Sequence, residues 1–235
     1  MNKKEFLEEV SKLNINLNEE QLNQLDKFYK LLINWNEKIN LTTIVKEEDV
    51  YLKHFYDSLT LIKAIDLTKD LKVLDVGTGA GFPGIVLKIV FPNLKITLLD
   101  SLNKRINYLH EIIKELNLKD IETVCSRSEE YSKTHREEYD LVVSRAVAHL
   151  RILTEITFSS VKVNGYLVAM KGNIDSELDE SIDIIDKLNG KIENIFSFYL
   201  PFENSQRNII KIKKINNTPK IYPREYNKIK KEVKK

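Results

Sequence analysis

Four of the seven glycines in this 235-residue sequence, Gly77, Gly79, Gly81 and Gly84, fall within eight positions. A chain so sparing of glycine concentrates it where backbone must turn sharply or lie against a ligand. The segment reads Val73-Leu-Asp-Val-Gly77-Thr-Gly79-Ala-Gly81-Phe-Pro-Gly84. It is a D-x-G-x-G-x-G pattern opened by Asp75, running from an apolar strand into a helix with Pro83 near its first position. In open α/β sheets, ligands bind at the carboxyl ends of the strands beside such a crossover. A Walker loop would need Gly-Lys-Ser/Thr after the turn, and no such tripeptide occurs. A dinucleotide fingerprint would place its third glycine at position 82, which holds Phe82. A large ring where helix must press on strand argues against a pyrophosphate.

Downstream, Asp100 ends the next apolar run, 23 residues after Gly77. A carboxylate there can accept both hydrogen bonds of a ribose diol, or it can cap the helix that follows, a task open to Ser101 as well. Ser126-Arg-Ser-Glu-Glu130 follows the third run, where Ser128 and Glu129 can either reach an adenine edge or close a capped turn. Arg145, in Ser144-Arg-Ala146, can orient a carboxylate, a phosphate or the O6/N7 edge of a base; otherwise it is a surface ion pair. The four histidines show no metal spacing, and His110-Glu-Ile-Ile-Lys114 fails H-E-x-x-H at its last position. His54 reads as a satisfied core histidine and the lone Cys125 as a buried strand-end residue, so no metal site is expected.

These side chains need a scaffold. Short apolar runs at 72–76, 95–100, 121–124, 140–144 and 166–170 alternate with stretches long enough for helices near 83–91, 102–117, 150–162 and 175–189. That alternation predicts parallel βαβ units in one open sheet. Two further runs, 191–199 and 207–215, are joined by the turn Leu-Pro-Phe-Glu-Asn-Ser-Gln and predict a closing antiparallel hairpin. Ahead of the sheet, 2–13, 18–39 and 47–65 read as amphipathic helices, the second with Leu22, Leu25, Tyr29, Leu32, Trp35 and Ile39 in one stripe. The expected division is a helical cap over 1–66, an α/β unit over 67–216 and a tail over 217–235.

Composition narrows the class. Hydrophobic residues make up 42%, enough for a sizeable core, and no uncharged run approaches the ~18–20 residues a bilayer requires. The amino terminus lacks a secretory core and one cysteine gives no disulfide framework, so a cytoplasmic protein is expected. The net charge of +2 conceals a polarity: residues 211–235 carry ten Lys/Arg and two acids, net +8, leaving the rest at −6. A basic tail suits a phosphate-rich partner, or is a solvated terminus. Its Lys/Arg lie too irregularly for one helix face, so phosphate contacts are expected from it and no effect on a cofactor site.

The glycine loop resembles motif I of S-adenosylmethionine-dependent methyltransferases. More specifically, Leu74–Ile85, Leu98–Arg105, Ser144–Leu150 and Met170-Lys-Gly172 resemble the ribosomal RNA small subunit methyltransferase G family, also called glucose-inhibited division protein B. Trp35-Asn36, Ile39-Asn-Leu-Thr42 and His54-Phe-Tyr-Asp-Ser-Leu59 are similar to its N-terminal signature. The resemblance implies a Rossmann-like, seven-stranded class I methyltransferase sheet with a C-terminal antiparallel hairpin and an N-terminal helical cap. It implies S-adenosylmethionine as cofactor, held by Asp75, Gly77, Gly79, Phe82, Asp100, Ser128, Glu129 and Arg145. It implies methyl transfer to N7 of a guanine in the 530 loop of 16S rRNA, on naked RNA or a small ribosomal subunit particle, by a monomer without a catalytic base or metal. Lys104, Arg105, Lys171 and Arg207 are the basic residues expected near the RNA entrance. A class I methyltransferase with another RNA or small-molecule substrate, and a non-catalytic RNA-binding assembly factor, are the alternatives.

Overall fold

Two capping boxes start the chain's first helices. In α1 (Lys3–Ser11) the Asn2 side chain accepts from the Glu5 N–H while Glu5 accepts from the Asn2 N–H. Asn18 and Gln21 repeat the arrangement at α2 (Glu19–Ile39), and Gln21 Nε2 also donates to the carbonyls of Ile89 and Val90. The cap is thereby tied to the α/β unit at its first turn. The third helical stretch changes pitch three times: α3 (Glu47–Val50), a π turn (Tyr51–Tyr56), α4 (Asp57–Leu59) and a 3-10 turn (Thr60–Lys63). A π turn in mid-helix often marks a functional position, and this one carries Lys53 and His54. The computed structural model describes residues 1–174 and 176–233.

The sheet has seven strands: β1 (Lys72–Val76), β2 (Lys95–Asp100), β3 (Ile121–Cys125), β4 (Tyr139–Arg145), β5 (Val161–Lys171), β6 (Gly190–Tyr199) and β7 (Gln206–Lys214), in the order β3-β2-β1-β4-β5-β7-β6. β1 to β5 are parallel, and β7 runs antiparallel between β5 and β6. Crossovers are made by α5 (Gly84–Val90), α6 (Asn103–Glu115), α7 (Ser128–Thr134), α8 (Leu150–Thr157) and α9 (Ile182–Lys187), and α10 (Tyr226–Val233) ends the described chain. The central strands are apolar on both faces because both are covered. The cap with α5 and α6 packs one face, where Phe28 stacks on Phe55 and meets Phe82 at a tilt. Leu150, Leu153, Ile184 and Ile185, of α8 and α9, cover the other. β1 lies between β2 and β4, so chain direction switches sides there and a crevice opens at the carboxyl ends.

Several local expectations differ from what is observed. The helix expected over 150–162 gives way at Phe158 to a 3-10 turn, and β5 begins at Val161. Asn164-Gly165 looks like a turn, but β5 bends through it, with a register shift between the Tyr139 and Leu141 pairings. The helix expected over 175–189 is reduced to a 3-10 turn (Asp179–Ser181) and α9, with residue 175 outside the described part. The tail is not irregular: Tyr226–Val233 is helical, with Ile229 buried among Ile152 and Ile156 of α8. Cys125 is exposed rather than buried, because β3 is an edge strand. Among the described residues, no helix is long and apolar enough to cross a membrane, and no three His, Cys, Asp or Glu are grouped to hold a metal ion.

Candidate active site

The crevice at the switch point is a cavity of about 630 Å³, within the range of ~300–1,000 Å³ usual for small-molecule sites. Its floor is the β1–α5 loop. Gly77 and Gly79 sit at φ +67° and +58°, the left-handed region that side chains disfavour. They differ in surroundings. A Cβ on Gly77 would strike Val147 Cγ2 at 2.5 Å, whereas one on Gly79 would meet nothing closer than 3.9 Å and would project into open space. Thr78 contributes a buried hydroxyl that faces the Asp75 carboxylate. Phe82 forms the adjoining wall, stacked on His54 at 4.4 Å between ring centroids.

Asp75 stands beneath this floor rather than in the cavity lining. It is fully buried, its Oδ2 accepts from the Gly84 N–H at 2.8 Å, and its Oδ1 has no partner. Burial pushes its carboxyl up to about 6. Its geometric role is to hold the loop's return into α5.

Asp100 is engaged by three donors of the protein itself. Its Oδ1 accepts from the Leu102 N–H at 3.0 Å ahead of α6, and its Oδ2 accepts from the Gly79 N–H at 3.0 Å and Arg105 NH1 at 3.1 Å. A carboxylate has about four acceptor positions, so three are occupied. A diol therefore competes with Arg105, the only one of the three partners that can swing away. Arg105 is thus tied to the cavity wall, while Lys104 points elsewhere, its Nζ reaching only the Ile39 carbonyl at 3.4 Å. At the end of β3, Ser128 and Glu129 line the cavity; Ser128 Oγ donates to Ile156 O at 3.1 Å and Glu129 accepts from Arg127 Nε at 3.2 Å.

The opposite wall is built from charges far apart in sequence. Buried Asp57, on α4, accepts from Arg145 NH1 at 3.0 Å through Oδ2 and from Arg207 Nε at 3.1 Å through Oδ1. Arg145 is therefore part of a buried network rather than a surface pair. It also donates to Lys53 O at 2.7 Å and to His54 Nδ1 at 3.0 Å. An arginine only donates, so the Arg145 contact takes Nδ1 as an acceptor and leaves Nε2–H to donate to Thr42 Oγ1 at 3.1 Å; the opposite tautomer would serve the Lys53 carbonyl, 3.2 Å from the same Nδ1. Burial, then the neighbouring Arg145 charge, holds the His54 imidazole down at about 3. His54 is thus a satisfied buried histidine and also a cavity wall. Ala146, next to Arg145, is held at φ +55°, a strained position for a non-glycine residue. Lys171 reaches the cavity lining with its ammonium already engaged, bonded to the Ala148 carbonyl and to Glu177 at 2.6 Å.

Residue types alone did not single out Asp57, nor His54 as a wall. The available signal was their place one helical turn apart, at i and i+3, in His54-Phe-Tyr-Asp-Ser-Leu59.

Comparisons with known proteins agree with this arrangement. The family described as GidB, rRNA small subunit methyltransferase G, matches residues 21–217. A "Ribosomal RNA small subunit methyltransferase G" from Desulforamulus reducens is 46% identical over 219 residues, covering 92% of this chain and 91% of the relative. A protein of the same name from Bacillus subtilis (strain 168) is 46% identical over 228 residues, 96% of this chain and 95% of its own. Among solved structures, a SAM dependent methyltransferase from Aquifex aeolicus aligns with a TM-score of 0.53 at 20% identity, covering 71% of this chain and 93% of that one. Identity that low speaks for the fold, whereas the match over 197 consecutive positions speaks for the lineage. The chain belongs to the rRNA small subunit methyltransferase G family.

Proposed function

We propose that this S-adenosylmethionine-dependent methyltransferase methylates N7 of a guanine in the 530 loop of 16S rRNA, acting in the cytoplasm as a monomer. The cofactor fits the residues present: Gly79 leaves room where a side chain would project, and Asp100 stands at the end of β2 beside it. Bound there, S-adenosylmethionine supplies an electrophilic methyl group on its sulfonium. On this reading Gly77, Gly79 and Phe82 shape the pocket for the methionine portion, and Asp75 fixes the loop from below. Asp100 takes the ribose as Arg105 withdraws, and Ser128 and Glu129 meet the adenine. Residues 1–66 serve as cap, 67–216 as methyl-transfer unit and 217–235 as basic tail.

One observation carries the choice of acceptor. The cavity is lined by four groups that could take a proton, His54, Asp57, Asp100 and Glu129, and each already accepts from a donor of the protein. That engagement, among the described residues, supports an acceptor that needs no general base. An exocyclic amine or a hydroxyl must lose a proton to be methylated, whereas guanine N7 carries an in-plane lone pair and loses none. Alignment and exclusion of water then suffice. Asp57 between Arg145 and Arg207 leaves that wall with one net positive charge, suited to the electron-rich O6/N7 edge.

The test is to map modified guanines in 16S rRNA from cells with and without the gene, using borohydride and aniline, which cleave at 7-methylguanine. Loss of one cleavage in the 530 loop is expected. Methyl label recovered on carbon, on an exocyclic amine or on ribose refutes the proposal.

A further inference from the structure

Residues 225–233 contain neither glycine nor proline, so nothing in them interrupts a helix, and α10 forms there. It is docked by two kinds of contact. Ile229 is completely buried against Ile152 and Ile156. Just ahead of the helix, Arg224 clamps Glu155, itself without exposed surface, through Nε to Oε1 at 2.7 Å and NH2 to Oε2 at 2.7 Å. The same guanidinium holds Glu232 in the last turn at 2.6 Å. A planar fork bonded to two carboxylates fixes position and angle together.

Docked this way, the helix brings Tyr226 into the cavity lining beside Ser128, Glu129 and Ile156. The Arg127 guanidinium lies 4.9 Å from the Tyr226 ring centroid, and Arg127 is anchored in turn by Glu129 at 3.2 Å. An aromatic ring with a guanidinium over it is a flat, polarisable surface of the kind purines pack against. The site runs along the carboxyl edge from the β1 loop, past Asp100 on β2, to the residues after β3. A nucleoside whose ribose meets Asp100 therefore presents its base on the Tyr226 side.

We propose that Tyr226, backed by Arg127, walls the adenine end of the cofactor site, making the C-terminal segment part of the methyl-donor pocket. This rests on assigning the cavity to S-adenosylmethionine. It replaces the expectation that the tail is irrelevant to cofactor binding. The lysines at 228, 230 and 231 are exposed, so an RNA-facing side remains on the same helix.

Titration calorimetry on the full chain tests the assignment, with S-adenosylhomocysteine and 5′-methylthioadenosine as ligands. The second shares the adenosine but lacks the amino-acid end. Tyr226→Ala is expected to weaken both about tenfold, the lower end of what losing a base-stacking ring costs. Tyr226→Phe should stay within about twofold of the wild type, and Lys230→Ala should be unchanged. Unaltered affinity in Tyr226→Ala, or a loss for S-adenosylhomocysteine only, overturns the adenine wall while leaving the site assignment standing. Failure of the wild-type chain to bind either ligand overturns the site assignment and, with it, this inference.

Discussion

The two walls of the cavity are made in opposite ways. The β1–α5 loop is contiguous and built of backbone, with glycines at positive φ and the N–H groups of Gly77, Thr78 and Gly79 tied to Leu99 and Asp100 at the end of β2. The facing wall is made of charged side chains separated by 88 and 150 positions, Arg145 and Arg207 converging on Asp57. The first wall is conformational, and its information is spent over a dozen residues. The second exists only while the cap sits on the sheet, because Asp57 comes from α4 and its partners from β4 and β7. Loop changes should therefore act on ligand binding, and changes in the charged wall on stability first.

The largest effect should come from Asp57→Ala, which leaves two guanidiniums facing each other in a largely buried place. Breaking a buried pair from one side typically costs ~3–5 kcal/mol. Urea denaturation should show a loss of this size; a change under about 1 kcal/mol would mean that the wall is solvated and the contrast wrong. On the loop side, Asp100→Ala should lower cofactor affinity by ~1.5–3 kcal/mol in calorimetry, the worth of charge-assisted hydrogen bonds. Gly79→Val, which puts a branched side chain at φ +58° and into open cavity, should act in the same direction. A folded Gly79→Val protein with wild-type affinity would remove the loop from the binding site.

The charged wall also makes a pH prediction. His54 holds about 3 when folded against 6.5 unfolded, so between those values only the unfolded chain takes the proton. Stability must then fall as pH drops below about 6.5, by about 2 kcal/mol at pH 5. Asp75 works the other way: its carboxyl, raised to about 6, takes up a proton in the folded chain first, which favours folding as pH falls through 6. The two offset each other in the wild type. Comparison with His54→Gln isolates the histidine, and the stability gap between the two proteins should shift by about 2 kcal/mol from pH 7 to pH 5. A gap independent of pH would mean that His54 is not held neutral.

The smallest effects belong to the exposed charges. Each phosphate contact contributes ~0.7–0.9 to the salt slope of RNA binding, so replacing Lys228, Lys230 and Lys231 together by Ala should flatten that slope by about 2 if most of them engage. Lys104→Ala, at an exposed residue outside the cavity lining, should change neither cofactor affinity nor stability by more than ~0.5 kcal/mol. An unaltered salt slope in the triple variant would make the tail's outer face a solvated surface.

The strands were legible because a parallel sheet covered on both faces demands continuous apolar runs, and KVLDV and KITLLD are such runs. The glycine loop was legible because only glycine adopts its backbone without strain. Where β5 begins was not: Asn164-Gly165 carries a turn's chemistry, and the chain expresses it as a bulge inside the strand, with Asn164 at φ +67° and residues 162–165 passed over between the Val161 and Tyr166 pairings with β4. Nor was the tail, whose lysines suggested no helix face while a single isoleucine and one buried glutamate on another helix docked it. His54 had the burial of a core residue and Lys171 the charge of an RNA contact, and neither property says which cavity a side chain faces.

By itself, the sequence determined what depends on local backbone energetics and on periodicity: the order of strands and helices, the positive-φ loop and the acid that follows it. The tertiary structure decided what depends on convergence. It placed Asp75 under the floor rather than in it, joined Asp57 to Arg145 and Arg207, and carried Tyr226 to the cavity. A dihedral preference belongs to a residue and its neighbours, so it is written in adjacent positions. A charge pair depends on distance in space, and the chain separation of 150 residues between Asp57 and Arg207 holds no record of their 3.1 Å approach.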